Sequence, residues 1–178
     1  MEKDLIEKQV IYDGNRIRLE VHHFMSNSGN RMKKEICVHP GAVVILPMLN
    51  EQTILLIRNY RYSIRETLLE LPAGTLEKNE DPINCAGREL VEETGYLAHR
   101  MERMLDFYAS PGVLTEKMYT FAAYNLEKVG QDLEEDENIE VVPTRFDDAI
   151  DLIKNRQIVD GKTIAILLAY DRFFRKQK

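Results

Sequence analysis

The sequence predicts an α+β fold with a small antiparallel β-subdomain at its N-terminus, and three observations carry that reading. Short apolar runs separated by turn residues fill residues 10–71, three segments of helical character follow, and the two kinds of element mix without a regular β-α-β alternation. With 178 residues and 44% hydrophobic positions, the chain can bury one substantial core and an appendage rather than two independent cores.

In chain order, residues 10–38 read as two or three strands, with turn signals at Asp13-Gly14-Asn15 and Asn27-Ser28-Gly29-Asn30. This hairpin-like piece stops at Pro40-Gly41, so the expected division is a β-subdomain over 1–39 and a main domain over 40–178. Residues 42–49 form the apolar run of a buried strand; Asn50-Glu51 interrupts it, and 53–57 resumes. Further strands are expected at 68–71, 101–108, 118–124 and 139–143, with helices at 82–94, 146–155 and 162–175. The first helix is the best marked: Asp81 stands as N-cap, Pro82 at the first helical position and Gly95 just past the end.

Charge excludes several partners. A net charge of −6 argues against nucleic acid and anionic membrane surfaces, either of which needs a concentrated basic patch. A phosphate-bearing small molecule would then need a cation brought in with it. The most apolar stretch, 41–49, is far shorter than the roughly 20 residues of a membrane helix. Two cysteines, Cys37 and Cys85, make no disulfide framework, and the start Met1-Glu2-Lys3-Asp4-Leu5 lacks a signal-peptide pattern, so a cytoplasmic location is expected.

The helix at 82–94 carries its charge where stability would not put it. At about 100° per residue, Glu89, Glu92 and Glu93 fall within roughly 100° of one another, and Ile83, Gly87, Leu90 and Val91 take the opposite, core-facing side. The three carboxylates crowd the C-terminal half, where the helix dipole disfavours them and each close pair repels by roughly 0.2–0.5 kcal/mol. One reading is a solvated face. The other is a set of hard oxygen ligands for Mg²⁺, with Mn²⁺ as a substitute, which would relieve the repulsion.

The run from Gly74 to Tyr96, GTLEKNEDPINCAGRELVEETGY, resembles the Nudix box position for position: Gly74, five residues, Glu80, seven residues, Arg88-Glu89, an aliphatic, any residue, Glu92-Glu93, any residue, Gly95 and a hydrophobe. The resemblance implies an α/β/α sandwich with a mixed sheet, in which the box forms a loop and a metal-binding helix. It implies Glu89, Glu92 and Glu93 as metal ligands, the carbonyl of Ala73 as a further ligand, and Arg88 and Glu80 as residues that hold the loop and carboxylates in place. An arginine suits that task, being a fixed planar donor among crowded glutamates.

Within that family the chain resembles the branch of ADP-ribose pyrophosphatases and related nucleoside diphosphate sugar hydrolases. Glu70-Leu71-Pro72-Ala73 precedes the box, and Pro111 follows Gly95 by sixteen residues in Ser110-Pro111-Gly112. Residues 33–41, Asn59-Tyr60-Arg61 and the C-terminal helix resemble it too. The likeness implies a homodimer whose N-terminal strands pair or swap, with both chains contributing to the nucleotide site. It implies substrate contacts at Arg61, Glu70, Pro111, Gly112 and Glu116, and at Tyr12 near the base, although Asn15 and Arg16 stand where some relatives have aromatics. The acidic run 132–137 reads from composition as a solvated loop, yet Glu135-Asp136-Glu137-Asn138-Ile139 resembles a mobile loop that delivers a catalytic glutamate; Glu137 is then the expected base and Glu135 the reserve. An EF-hand fails, because its turn glycine and terminal glutamate are missing.

The expected chemistry is in-line attack of water on a pyrophosphate phosphorus, assisted by Mg²⁺, with Glu137 or one of the box glutamates such as Glu92 taking the water's proton and Arg88 holding the carboxylates in place. ADP-ribose, giving AMP and ribose 5-phosphate, is the leading substrate. GDP-mannose or a broad nucleotide-sugar range is the runner-up. A non-catalytic Nudix regulator stands third, since such proteins usually carry a degraded box and a DNA-binding domain.

Overall fold

The computed structural model describes residues 5–133 and 138–175, which divide into two compact units: Met1–Gly41 with Phe107–Met118, and Ala42–Asp106 with Tyr119–Lys178. In the first unit, β1 (Leu5–Asp13), β2 (Arg18–Met25) and β3 (Arg31–Val38) form an antiparallel sheet in that order. Both sequence-marked turns close it. At the second, Gly29 takes φ 79°, its N–H bonds to Ser26 O at 3.0 Å, and Ser26 Oγ accepts the Asn30 N–H at 2.9 Å. The end of β3 is tied to the 107–118 segment, with Cys37 N–H on Val113 O at 2.8 Å and Thr115 N–H on Cys37 O at 3.0 Å.

The second unit holds β4 (Ala42–Pro47), β5 (Thr53–Arg61), β6 (Glu66–Glu70), β7 (Ala73–Thr75), α1 (Pro82–Thr94), most of β8 (Tyr96–Tyr108) and β9 (Lys117–Lys128), β10 (Ile139–Arg145), α2 (Phe146–Lys154) and α3 (Gly161–Ala169). A four-stranded sheet runs β7-β4-β9-β8 and a three-stranded one β10-β5-β6. Every residue of β4 is buried, as a strand covered on both faces requires. Val43 and Ile45 pack with Cys85, Ala86 and Leu90 of α1 and with Phe121 and Ala123 of β9. Alternation sends Val44 and Leu46 to the other face, the side on which α3 meets β4. Helices thus cover both faces of the central strand, and the fold class is α+β.

The caps of α1 are those the sequence marks. Asp81 Oδ1 accepts the Ile83 N–H at 3.0 Å, and Gly95 ends the helix at φ 74°. Its core stripe differs from the sequence expectation: Ile83 is exposed, Gly87 and Val91 are half-buried, and Cys85, Ala86 and Leu90 make the contact. Small side chains at 85 and 86 let the helix approach the sheet closely, which rotates the buried stripe. The C-terminal helix also differs from the straight expectation over 162–175. After α3 the chain widens into a π-turn (Tyr170–Phe174) that keeps Tyr170 buried against Phe146, ring centroids 5.4 Å apart. Among the described residues, no helix is long and apolar enough to cross a membrane.

Candidate active site

The short strand β7, too short to show in a hydrophobic pattern, places the box. It pairs antiparallel with β4, Val44 facing Ala73 and Val43 facing Gly74. The turn after it is closed by Glu80 N–H on Glu77 O at 3.1 Å and by Glu77 N–H on Glu80 Oε2 at 2.9 Å. This loop lies against the outer flank of α1, and the closest approach is at Gly74. A Cβ built there would fall 1.8 Å from Glu89 Cδ, so the Glu89 carboxylate occupies the space that any larger residue would fill.

Arg88 gathers the acids around that point. Its Nε and Nη2 bind Glu80 Oε1 and Oε2 at 3.0 and 3.1 Å, while Nη1 donates to Glu89 Oε1 at 2.9 Å and to Glu92 Oε2 at 2.8 Å. One guanidinium thus serves three carboxylates. The Arg88 hydrogen bond holds the Glu80 carboxyl at about 2, far below the usual range, and the same bond raises the arginine further. Glu93 is buried, and its Oε2 accepts the Ala73 N–H at 2.9 Å, which binds the helix to the residue just ahead of the box glycine. Cys85, four residues into the helix, is buried and its thiol is pushed up to about 12, first by desolvation and then by Glu80, so it is a packing residue and not a nucleophile.

A second charged group lies at Arg61, at the end of β5. Arg61 Nε donates to Glu70 Oε1 at 2.9 Å and its Nη2 to Glu70 Oε2, a bidentate pair across the β5–β6 ladder. Lys162 Nζ reaches the same Oε2 at 2.5 Å and Asp160 Oδ1 at 2.9 Å. Glu70 is fully buried with both oxygens engaged, whereas the Arg61 side chain remains 35% exposed. The Glu70 hydrogen bond raises the Arg61 pKa, and the charge of Glu93 adds to the effect, so Arg61 is within electrostatic reach of the box helix.

Of the residues named from sequence, Ala73, Arg88, Glu89, Glu92 and Glu93 are thus drawn together, with Arg61 and Glu70 in the same unit. Tyr12, Pro111, Gly112 and Glu116 belong to the first unit. Tyr12 is exposed with its ring over Gly14, whose added Cβ would meet it at 2.5 Å. Glu116 lies 3.6 Å from His39 Nε2, and His39 Nδ1 accepts the Gly41 N–H at 3.1 Å, which leaves the Nε2 proton facing Glu116. Pro111 and Gly112 are exposed on the same segment. Glu135 and Glu137 lie outside the described residues. Sequence reading missed Asp160, Lys162 and Thr163; their one signal is the Asp160-Gly161-Lys162-Thr163 helix start, in which Asp160 Oδ2 caps the Thr163 N–H at 2.9 Å.

An acid-rich helix, one arginine shared among its glutamates and a glycine-cradled loop, set on an α+β sandwich, define the class. The NUDIX domain family matches residues 38–165, and the chain belongs to that family. It is 38% identical to an ADP-ribose pyrophosphatase of Bacillus subtilis (strain 168) over 92% of this chain and 89% of the relative. It is 37% identical to a methanol dehydrogenase activator of Bacillus methanolicus over the same shares, and 38% identical to a GDP-mannose pyrophosphatase of Yersinia pestis (strain Pestoides F) over 71% of this chain and 68% of the relative. A solved structure titled as an ADP compounds hydrolase superposes with a TM-score of 0.86 at 20% identity, covering 97% of this chain and 94% of its own, which speaks to the fold.

Proposed function

We propose that this NUDIX hydrolase cleaves the pyrophosphate of a nucleoside diphosphate sugar, with ADP-ribose, split to AMP and ribose 5-phosphate, as its preferred substrate. The observation that carries the reading is the Glu89 carboxylate seated over Gly74 while Arg88 draws Glu80 and Glu92 to the same place. The ADP-ribose preference is supported by the likeness to the Bacillus subtilis enzyme over nearly the whole chain, and the likeness to GDP-mannose pyrophosphatases keeps that substrate as the second reading.

The donor set fits a divalent cation. It offers hard carboxylate oxygens from Glu89, Glu92 and Glu93 at a cradle that a Cβ would fill, with the Ala73 carbonyl as an additional donor. In their arginine-paired arrangement, no three acidic, histidine or cysteine side chains among the described residues enclose an ion. Holding a cation therefore requires Glu89 and Glu92 to share their oxygens between Arg88 and the metal. When bound, Mg²⁺ supplies neutralisation of the pyrophosphate oxygens and acidifies the attacking water.

The chain's own residues do the rest. Arg88 fixes the carboxylates against their mutual repulsion, so the site is organised before substrate arrives. Arg61, its Nε–Nη2 edge consumed by Glu70, offers its Nη1 end to the phosphate adjoining the sugar. Glu137 accepts the proton of the attacking water, with Glu135 as substitute. On the resemblance alone, Pro111, Gly112, Glu116 and Tyr12 are further proposed substrate contacts.

The N-terminal piece, residues 1–39, makes a homodimer contact with strand exchange. All of β1 is exposed, and it carries Leu5, Ile6, Val10, Ile11 and Tyr12, a costly arrangement for an edge strand paired only with β2. The free cysteines Cys37 and Cys85 suit a reducing cytoplasm.

Steady-state kinetics with ADP-ribose, GDP-mannose, ADP-glucose and NADH, with and without Mg²⁺, test the reading. The highest kcat/KM is expected for ADP-ribose, with AMP and ribose 5-phosphate as products. Hydrolysis of none of the four, or rates indifferent to Mg²⁺, sinks it.

A further inference from the structure

The ion-pair network behind Arg61 contains two residues that the chemistry above leaves without a part. Lys162 and Asp160 stand at the start of α3, far from the box in sequence, and both are largely buried, their side chains 13% and 15% exposed. We infer that Lys162 is a positioning residue: with Asp160 it locks Glu70, and through Glu70 it sets the guanidinium of Arg61 for substrate. This rests on the proposed contact between Arg61 and the substrate.

The geometry is that of a closed frame. Glu70 Oε1 takes the Arg61 Nε–H at 2.9 Å, and Oε2 is shared by Arg61 Nη2 and by Lys162 Nζ at 2.5 Å. Lys162 is balanced in turn by Asp160 Oδ1 at 2.9 Å. Asp160 cannot swing away, because its Oδ2 accepts both the Thr163 N–H at 2.9 Å and the Thr163 hydroxyl at 2.6 Å. That hydroxyl accepts the Leu71 N–H at 2.8 Å, so the first turn of α3 grips the end of β6 through Glu70 and Leu71 at once. Two cations and two carboxylates balance, and among the described residues no buried side-chain polar atom is left without a partner.

Only one member of this frame reaches outward. The Arg61 side chain is 35% exposed while Glu70 is sealed, so the frame's rigidity is delivered to a single guanidinium. A bidentate pair fixes that guanidinium in plane as well as in place, and the box carboxylate Glu93 lies within its electrostatic reach. Without Lys162, Glu70 would be a buried carboxylate with one cation, free to shift with it. The expected loss is therefore in how well Arg61 meets an anionic ligand rather than in the chemical step.

The test is steady-state kinetics on the full chain with ADP-ribose and Mg²⁺, for wild type, K162M, K162R, R61Q and K162M/R61Q, with Tm measured for each. K162M should raise KM about tenfold with kcat within about twofold, and K162R should recover most of that loss. In the R61Q background K162M should add less than about twofold, because the two residues act in series. Should K162M fail to fold, K162Q, which removes the charge and leaves only a shorter neutral donor toward Glu70, carries the same comparison with a KM rise of about threefold. An unchanged KM in K162M or K162Q, or an equal KM increment with and without Arg61, overturns the inference alone. A wild-type protein that hydrolyses no nucleoside diphosphate sugar overturns the proposed function, and this inference falls with it.

Discussion

Two ion-pair clusters in the second unit are built from basic and acidic side chains in different proportions. Around Arg88, one guanidinium is divided among Glu80, Glu89 and Glu92. Around Glu70, one carboxylate receives both Arg61 and Lys162, and Asp160 completes a balanced set. The first is crowded with negative charge on a helix end whose dipole opposes it; the second has each buried charge answered. The difference separates a cluster arranged to receive a cation from one arranged to hold a shape. Changes at Glu89 and Glu92 of the first should cost turnover and spare stability, and changes at the second should cost stability and substrate affinity while sparing turnover.

The largest expected effect is at the first cluster. Glu92→Gln should lower kcat/KM for ADP-ribose by about a thousandfold, on the order of 4 kcal/mol of transition-state stabilisation, with Tm unchanged or slightly raised as repulsion is relieved. Retained turnover at saturating Mg²⁺ would dissolve the distinction between the clusters. At the second, Glu70→Gln leaves Arg61 and Lys162 facing a neutral amide in a buried place, so chemical denaturation should show a loss of about 3 kcal/mol. A loss below about 1 kcal/mol would mean that the frame is not what holds β6 to α3.

A smaller effect is expected where backbone meets carboxylate. Gly74→Ala pushes a methyl into the space of the Glu89 carboxylate, and activity should fall by about tenfold to a hundredfold with only a modest change in Tm. Wild-type kinetics in that variant would show that Glu89 need not sit where it does. The smallest effect concerns acid. The Arg88 pair depresses the Glu80 pKa to about 2, so the stabilisation from Glu80 is present above the ordinary carboxylate value of about 4.3 and is lost as pH falls toward 2. Glu80→Gln should cost about 1 kcal/mol at neutral pH and flatten the stability curve between about pH 4.3 and 2. An identical acid limb in wild type and variant would place the titration elsewhere.

Much of this was legible beforehand, for local reasons. Caps, turns and apolar runs are short-range signals, so Asp81, Pro82 and Gly95 mark both ends of α1 and an unbroken apolar run marks β4, which the structure buries throughout. The crowding of Glu89, Glu92 and Glu93 on one helix also follows from spacing alone. Strand β7 was not legible, because three residues carry no periodicity; it exists through its pairing with β4. Ile83 faces solvent and not the core, because a helical pattern defines a stripe only to within the rotation that packing decides.

The sequence by itself determined the acidic helix, its caps and the box spacing, since these depend on neighbours within one or two turns. Tertiary structure alone decided that the Glu89 carboxylate lies over Gly74, fifteen residues away, and that Glu70 meets Lys162 from 92 residues further along. Such meetings depend on how the strands pair and on which helix face the sheet takes, and neither is written in any local pattern.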